Sequence, residues 1–202
     1  RIASVAHRHG VDFNELRGRW PVIARILKKQ VAGFGDRYGY DVSYLHDLVD
    51  TDRTGAVKML LVGPFTRHRF GLPAAPYFAA KIIATRRADC GACLKLAIDM
   101  AAEAGVPLAA IRQLLLGSGE EAPPEMQLAA RYAHAALDND PALPAAIEAC
   151  TRRWGKRGLA GLAAAVTARQ LYPVFKRGLG HTTSCTPVMA WLRSPDEGRL
   201  DS

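Results

Sequence analysis

The chain reads as an all-α protein of about eight helices. Three observations predict this. Alanine is abundant, and aromatic residues make up only 7% of the chain. Apolar residues recur at helical spacing, as in Cys93, Leu96, Ala97, Met100, Ala101 and Ala104, while no stretch alternates with period two over several residues. Glycines and prolines fall where helices of ordinary length would stop. At 202 residues, the chain is one domain or two small halves sharing a core.

Asp12 is the expected N-cap of a first helix carrying Phe13, Leu16, Trp20, Ile23, Ile26 and Leu27, kinked or split at Pro21. Gly33, Gly35 and Gly39 mark a loop. Asp41 caps a second helix with Val42, Leu45, Leu48 and Val49 inside. Asp52 to Gly55 interrupts it before Val57 to Val62, and Pro64 ends that segment. Pro64 to Pro76 is a loop, and Tyr77 to Arg87 is a short apolar helix. Asp89 caps the next helix, which Gly105 stops. Pro107 to Leu116 follows, and Pro123 and Pro124 start a helix that ends at Asp138 to Pro141. Two more run from Pro144 to Trp154, stopped by Gly155, and from Leu159 towards Lys176, with a kink at Pro173. From Gly178 the chain is a loop with a last apolar turn around Met189 and Trp191.

Cys90-Gly91-Ala92-Cys93 stands where the fifth of these helices begins. A thiol there feels the positive end of the helix dipole, which favours thiolate, and Arg86 and Arg87 push the same way while Asp89 opposes. Two cysteines on one turn can close a short disulfide, each serving as the other's resolving partner. Two other readings stand beside redox chemistry. Both thiols suit a core as small apolar residues. A zinc half-site would need two more ligands, and the remaining candidates, His134, Cys150, His181 and Cys185, are scattered. No cofactor or metal is assigned.

The formal net charge is +8, and no Asp or Glu lies between Arg53 and Ala88. Arg53, Lys58, Arg67, Arg69, Lys81, Arg86 and Arg87 fill that interval, and Arg152, Arg153, Lys156 and Arg157 form a second cluster. Such charge suits a solvated face, an anionic surface or an acidic partner. The aromatics that base stacking needs are not interleaved, so nucleic acid is not expected. No run of about eighteen apolar residues predicts a membrane span. Four cysteines with one close pair point to a reducing compartment, taken as the cytoplasm. The chain opens at Arg1, so a preceding segment is left open.

The block from Ala84 to Ala97, Ala-Thr-Arg-Arg-Ala-Asp-Cys-Gly-Ala-Cys-Leu-Lys-Leu-Ala, is followed by Ala-Gly-Val-Pro and a Leu-rich helix. It resembles the carboxymuconolactone decarboxylase and alkylhydroperoxidase-D superfamily. The later run Gln127 to Ala133 and the segment Tyr172-Pro173-Val174-Phe175 look like that family's downstream half. The resemblance covers about residues 40 to 185. It implies a helical domain over 40–185, an N-terminal helical extension over 1–39 and a tail over 186–202. It also implies a homo-oligomer. In thiol-active members the second cysteine attacks peroxide and the first resolves it, which carries over to Cys93 and Cys90. The family's His one turn on is Ala97 here, and the helix that would hold its Glu, Tyr77 to Arg87, has no carboxylate.

The function this reading supports is a thiol–disulfide oxidoreductase, peroxide-reducing in one form, acting through Cys90 and Cys93 on a small hydroperoxide or a disulfide partner. The alternative is a non-redox member of the same fold, either a lactone- or acid-processing enzyme or an oligomeric binding protein. A basic binder of polyanions is a third class. Without the His and Glu, a real Cys90–Cys93 disulfide with slow hydrogen peroxide turnover is expected, and His181 is the first candidate for a recruited base. His134 reads as a packing or surface residue, and Asp99 with Glu103 as like charges on an exposed helix face.

Overall fold

The computed structural model describes residues 15–117, 121–181 and 186–194. Every regular element among them is helical: α1 (Glu15–Tyr38), α2 (Ser43–Thr51), α3 (Arg53–Arg67), α4 (Ala74–Arg87), α5 (Gly91–Glu103), α6 (Leu108–Leu116), α7 (Pro124–Asp138), α8 (Leu143–Gly178) and α9 (Thr186–Arg193). The all-α class therefore holds for the described residues. Asp12 and Cys185 lie outside them.

Several boundaries differ from the sequence reading, each for a local reason. Gly33 and Gly35 belong to α1, and only Gly39, at φ +55°, leaves it. Gly35 is needed where it stands: a Cβ there would sit 2.9 Å from the carbonyl oxygen of Tyr40, whose amide donates to the Gly35 carbonyl. α1 runs through Pro21 and α3 through Pro64, each giving up one backbone hydrogen bond. Near the end of α3 the Thr66 hydroxyl donates to the Gly63 carbonyl at 2.9 Å. The cap of α2 is Val42 rather than Asp41, whose carboxylate accepts the Ser43 amide at 2.9 Å just outside the helix. Asp52 does interrupt the chain and caps α3 through the Thr54 and Gly55 amides. α4 starts at Ala74, so that Pro76 occupies its first turn, where a missing N–H costs little. α8 is two helices joined at Gly155, whose φ of +68° and ψ of 177° are open mainly to glycine.

α4 is the central helix. It is buried continuously from Pro76 to Thr85. It packs against α5, α7 and α8. α7 contributes Met126, Ala129, Tyr132 and Ala133, and α8 contributes Leu162, Ala165 and Val166. Alanines at these contacts let the helix axes approach closely. α9 closes over α5 and α6. A second, smaller apolar cluster lies at the start of α5. There Phe34, Tyr38, Tyr40, Val42, Tyr44 and Leu45, from α1, α2 and their connection, cover Cys90, Cys93 and Leu96.

Candidate functional site

The turn between α4 and α5 decides where the thiols sit. Ala88 is the C-cap of α4, and Asp89 follows in the left-handed region at φ +48°. That conformation closes α4 and is incompatible with the extended backbone of an N-cap. Cys90 takes the N-cap place instead, with φ −124° and ψ 100°, and its carbonyl accepts the Leu94 amide at 2.8 Å. The expected Asp89 cap is thus displaced by one residue. Cys93 lies in the first turn of α5.

Both sulfurs are buried, and both cysteines are free thiols. Their environments differ. The Cys93 thiol and amide face the Cys90 sulfur and favour its thiolate, although no side-chain bond of full geometry caps the helix. Burial opposes this, and Lys176 and Arg177 add positive charge, so Cys90 is brought down to about 6. Cys93 is pushed up, first by its hydrogen bond with Cys90 and then by burial. Tyr40 and Arg169 act in the opposite direction on Cys93. The Tyr40 hydroxyl lies 3.4 Å from the Cys93 sulfur. Burial holds the Tyr40 phenol well above its ordinary value, so it stays protonated.

The cations at work are not those beside the motif in sequence. Arg86 donates to the Leu115 carbonyl at 2.9 Å, and Arg87 pairs with Asp138 at 2.7 Å. Lys176 comes from α8 instead. It is 2% exposed, stands 3.6 Å from the Asp41 carboxylate, and lies over the Tyr40 and Tyr44 rings at 4.8 and 5.2 Å. Arg177 donates to the Ala88 carbonyl at the mouth of the α4–α5 turn.

Beside the thiols is a cavity of about 280 Å³. Tyr40, Tyr44, Leu96, Met100 and Arg169 line the end nearest the cysteines. Neither cysteine lines it. Lys81 also borders it, buried in α4, with its ammonium donating to the Thr66 carbonyl at 2.7 Å and lying 4.4 Å from the Tyr77 ring. Burial, with Arg169 and Arg67 adding to it, brings Lys81 down to about 6.

The other candidates fall elsewhere. His181 faces Ser43 Oγ at 3.3 Å and Asp47 at 3.6 Å, with its ring 6.5 Å from that of Tyr44. This places it on the cover over the thiols, with its ring nitrogens directed to Ser43 and Asp47. His134 is exposed on α7, and Ala97 is buried in the main core. Asp99 and Glu103 are not a bare like-charge pair: Asp99 pairs with Lys95 at 2.7 Å, and Glu103 pairs with Arg37 at the end of α1. Cys150 is buried in the main core. Among the described residues no group of three His, Cys, Asp or Glu gathers to hold a metal ion. None of the described helices is long and apolar enough to cross a membrane.

No family model matches the chain, and no curated protein and no solved structure matches it.

Sequence reasoning found the two thiols and missed Tyr40, Arg169 and Lys176. A signal for the last two was present. Arg169, Tyr172, Pro173 and Lys176 follow at i, i+3, i+4 and i+7, extending the inward stripe of Leu162, Ala165 and Val166. Basic residues on a buried stripe mark a place where charge is held inside.

Proposed function

We propose that the protein is a thiol–disulfide oxidoreductase in which Cys90 and Cys93 form and release an intramolecular disulfide. The observation that carries this reading is the placement of the two thiols at the head of α5, with Cys90 as its N-cap and Cys93 in its first turn, 3.4 Å from the Tyr40 hydroxyl. The Cys93 hydrogen bonds, Lys176 and Arg177 all favour thiolate at Cys90, while the hydrogen bond to Cys90 and burial favour the protonated form at Cys93. This assigns the first attack to Cys90 and reverses the roles that the family resemblance implied. Cys90 also directly follows the exposed Asp89.

The exchange balances as follows. The Cys90 thiolate attacks one sulfur of a partner disulfide, forms a mixed disulfide and expels the other partner sulfur as thiolate. Capture of Cys90 removes the charge that held the Cys93 proton in place. Arg169 and the Tyr40 hydroxyl then favour the Cys93 thiolate. Cys93 attacks Cys90, the second partner thiolate leaves, and two protons complete the partner's two thiols. The chain has lost two electrons and the partner has gained them. Because both sulfurs are covered, the cycle requires the segment of Tyr40 to Tyr44 to lift from the start of α5.

A peroxide-reducing form of the same chemistry is supported by the protonated Tyr40 hydroxyl, 3.4 Å from the Cys93 sulfur under the cover of the dithiol, as a proton donor for a leaving oxygen. An alkylhydroperoxidase-D-like bundle and a cytoplasmic setting belong to this reading. So does a homo-oligomer, supported by the exposed Val22, Ile26, Leu61 and Phe65 of α1 and α3. The test is redox titration in glutathione buffers, with alkylation and mass measurement of the trapped states. An intramolecular Cys90–Cys93 bond, lost in Cys90→Ser and in Cys93→Ser, is expected. Failure to form that bond at any poise would end the reading.

A further inference from the structure

We infer that the cavity beside the dithiol is a binding site for a small amphiphile, a short apolar chain ending in a carboxylate, with Arg169 as its anion partner. Three features of the cavity carry this. The first is an unanswered guanidinium. Arg169 is 7% exposed, its Nε has no hydrogen-bond partner, and its NH2 nitrogen reaches only the Met100 sulfur at 3.5 Å. Buried arginine stays charged and presents a planar fork that fits a carboxylate with two hydrogen bonds. A thioether is a weak acceptor for such a group.

The second feature is the sign of the lining. Arg67, Lys81 and Arg169 border the cavity, and no Asp or Glu does. A buried positive charge without a counter-ion is costly, and an anionic ligand would remove that cost. Lys81 reinforces this: an arriving carboxylate would favour its protonated form against the burial that now brings it down to about 6.

The third feature is the rest of the wall. Leu27, Val31, Phe34, Leu45, Met59 and Leu60, from α1, α2 and α3, give the same cavity an apolar wall. The 280 Å³ space is near the lower end of the range that small-molecule sites occupy, which suits a short chain with one polar head. Octanoate is a probe of that class. This site stands whether or not the thiols do the chemistry proposed above.

The test is calorimetric titration of the full chain with octanoate and, separately, with octanol. Octanoate is expected to bind at least about tenfold more tightly than octanol, the scale of one charged hydrogen-bonded contact. Arg169→Met should lower octanoate to the octanol level, and Arg169→Lys should retain part of the preference. Should Arg169→Met fail to fold, the wild-type comparison of acid with alcohol decides alone. Equal binding of the two, or no binding of either, would overturn the inference. Cys90→Ser should bind octanoate as the wild type does, so loss of disulfide formation and loss of this site are separable results.

Discussion

Cys90 and Cys150 are equally hidden, each with 0% exposure, yet their thiols are driven in opposite directions. Cys150 stands in the alanine-dense contact of α7 and α8, and burial pushes it up to about 11. Cys90 stands at a helix start, with a second thiol, Lys176 and Arg177 around it, and is brought down to about 6. Burial disfavours the thiolate, and a hydrogen-bond donor with two cations favours it. The same contrast separates the two regions that hold them. One is a large core in which alanines and aliphatic side chains pack around Cys150. The other sets the thiols among tyrosines and the buried Lys176, beside a cavity.

Packing gives the largest expected difference. Leu162→Ala, in the fully buried contact of α8, should cost about 2–5 kcal/mol, because the surrounding helices cannot collapse into the space. Leu45→Ala, which only enlarges an existing cavity edge, should cost clearly less. Urea midpoints of the two variants measure this. Equal losses would mean that the two regions are packed alike.

The pH dependence of stability comes next. Cys90 lies below its unfolded value, so its contribution is full above the ordinary thiol range and is lost as pH falls through about 6. Lys81 is also brought down to about 6, so the burden of burying it is full below pH 6 and lifts as pH rises towards its ordinary value of 10.5. Both make stability rise from pH 6 to about pH 8.5. Lys81→Met should flatten that slope and raise the urea midpoint most at pH 6. A wild-type midpoint that falls over the same interval would contradict the account.

Lys176→Met should lift the Cys90 thiol by less than Cys93→Ala does, since the Cys93 hydrogen bond is the larger cause. The rate of Cys90 alkylation against pH would report it. The smallest effect is expected at Asp99. Asp99→Ala breaks a half-exposed pair with Lys95 at i, i+4 and should change stability by no more than about 0.5 kcal/mol in thermal unfolding.

Much of this contrast could be read from the sequence, and the unread part has a physical cause. Helical spacing and the Gly and Pro positions located most helices, including the break at Gly155, because those signals are local. Prolines misled at Pro21 and Pro64, where a helix can lose one hydrogen bond and continue. Gly33 and Gly35 misled because glycine can also serve close approach within a helix. The two thiols announced themselves by spacing. Their electrostatic partners did not, because Tyr40 and Lys176 are brought to them from distant points of the chain, while the adjacent Arg86 and Arg87 turn towards Leu115 and Asp138.

The central claim is that Cys90 carries thiolate because of what surrounds it. The direct measurement is a titration of thiolate absorbance on the reduced chain between pH 4 and pH 9, with Cys90→Ser, Cys93→Ala and Cys150→Ser alongside. One thiolate titrating near pH 6 is predicted, unchanged in Cys150→Ser, absent in Cys90→Ser and moved up towards the ordinary thiol range in Cys93→Ala. A chain with no thiolate below pH 8, or a low transition that survives in Cys90→Ser, would contradict it.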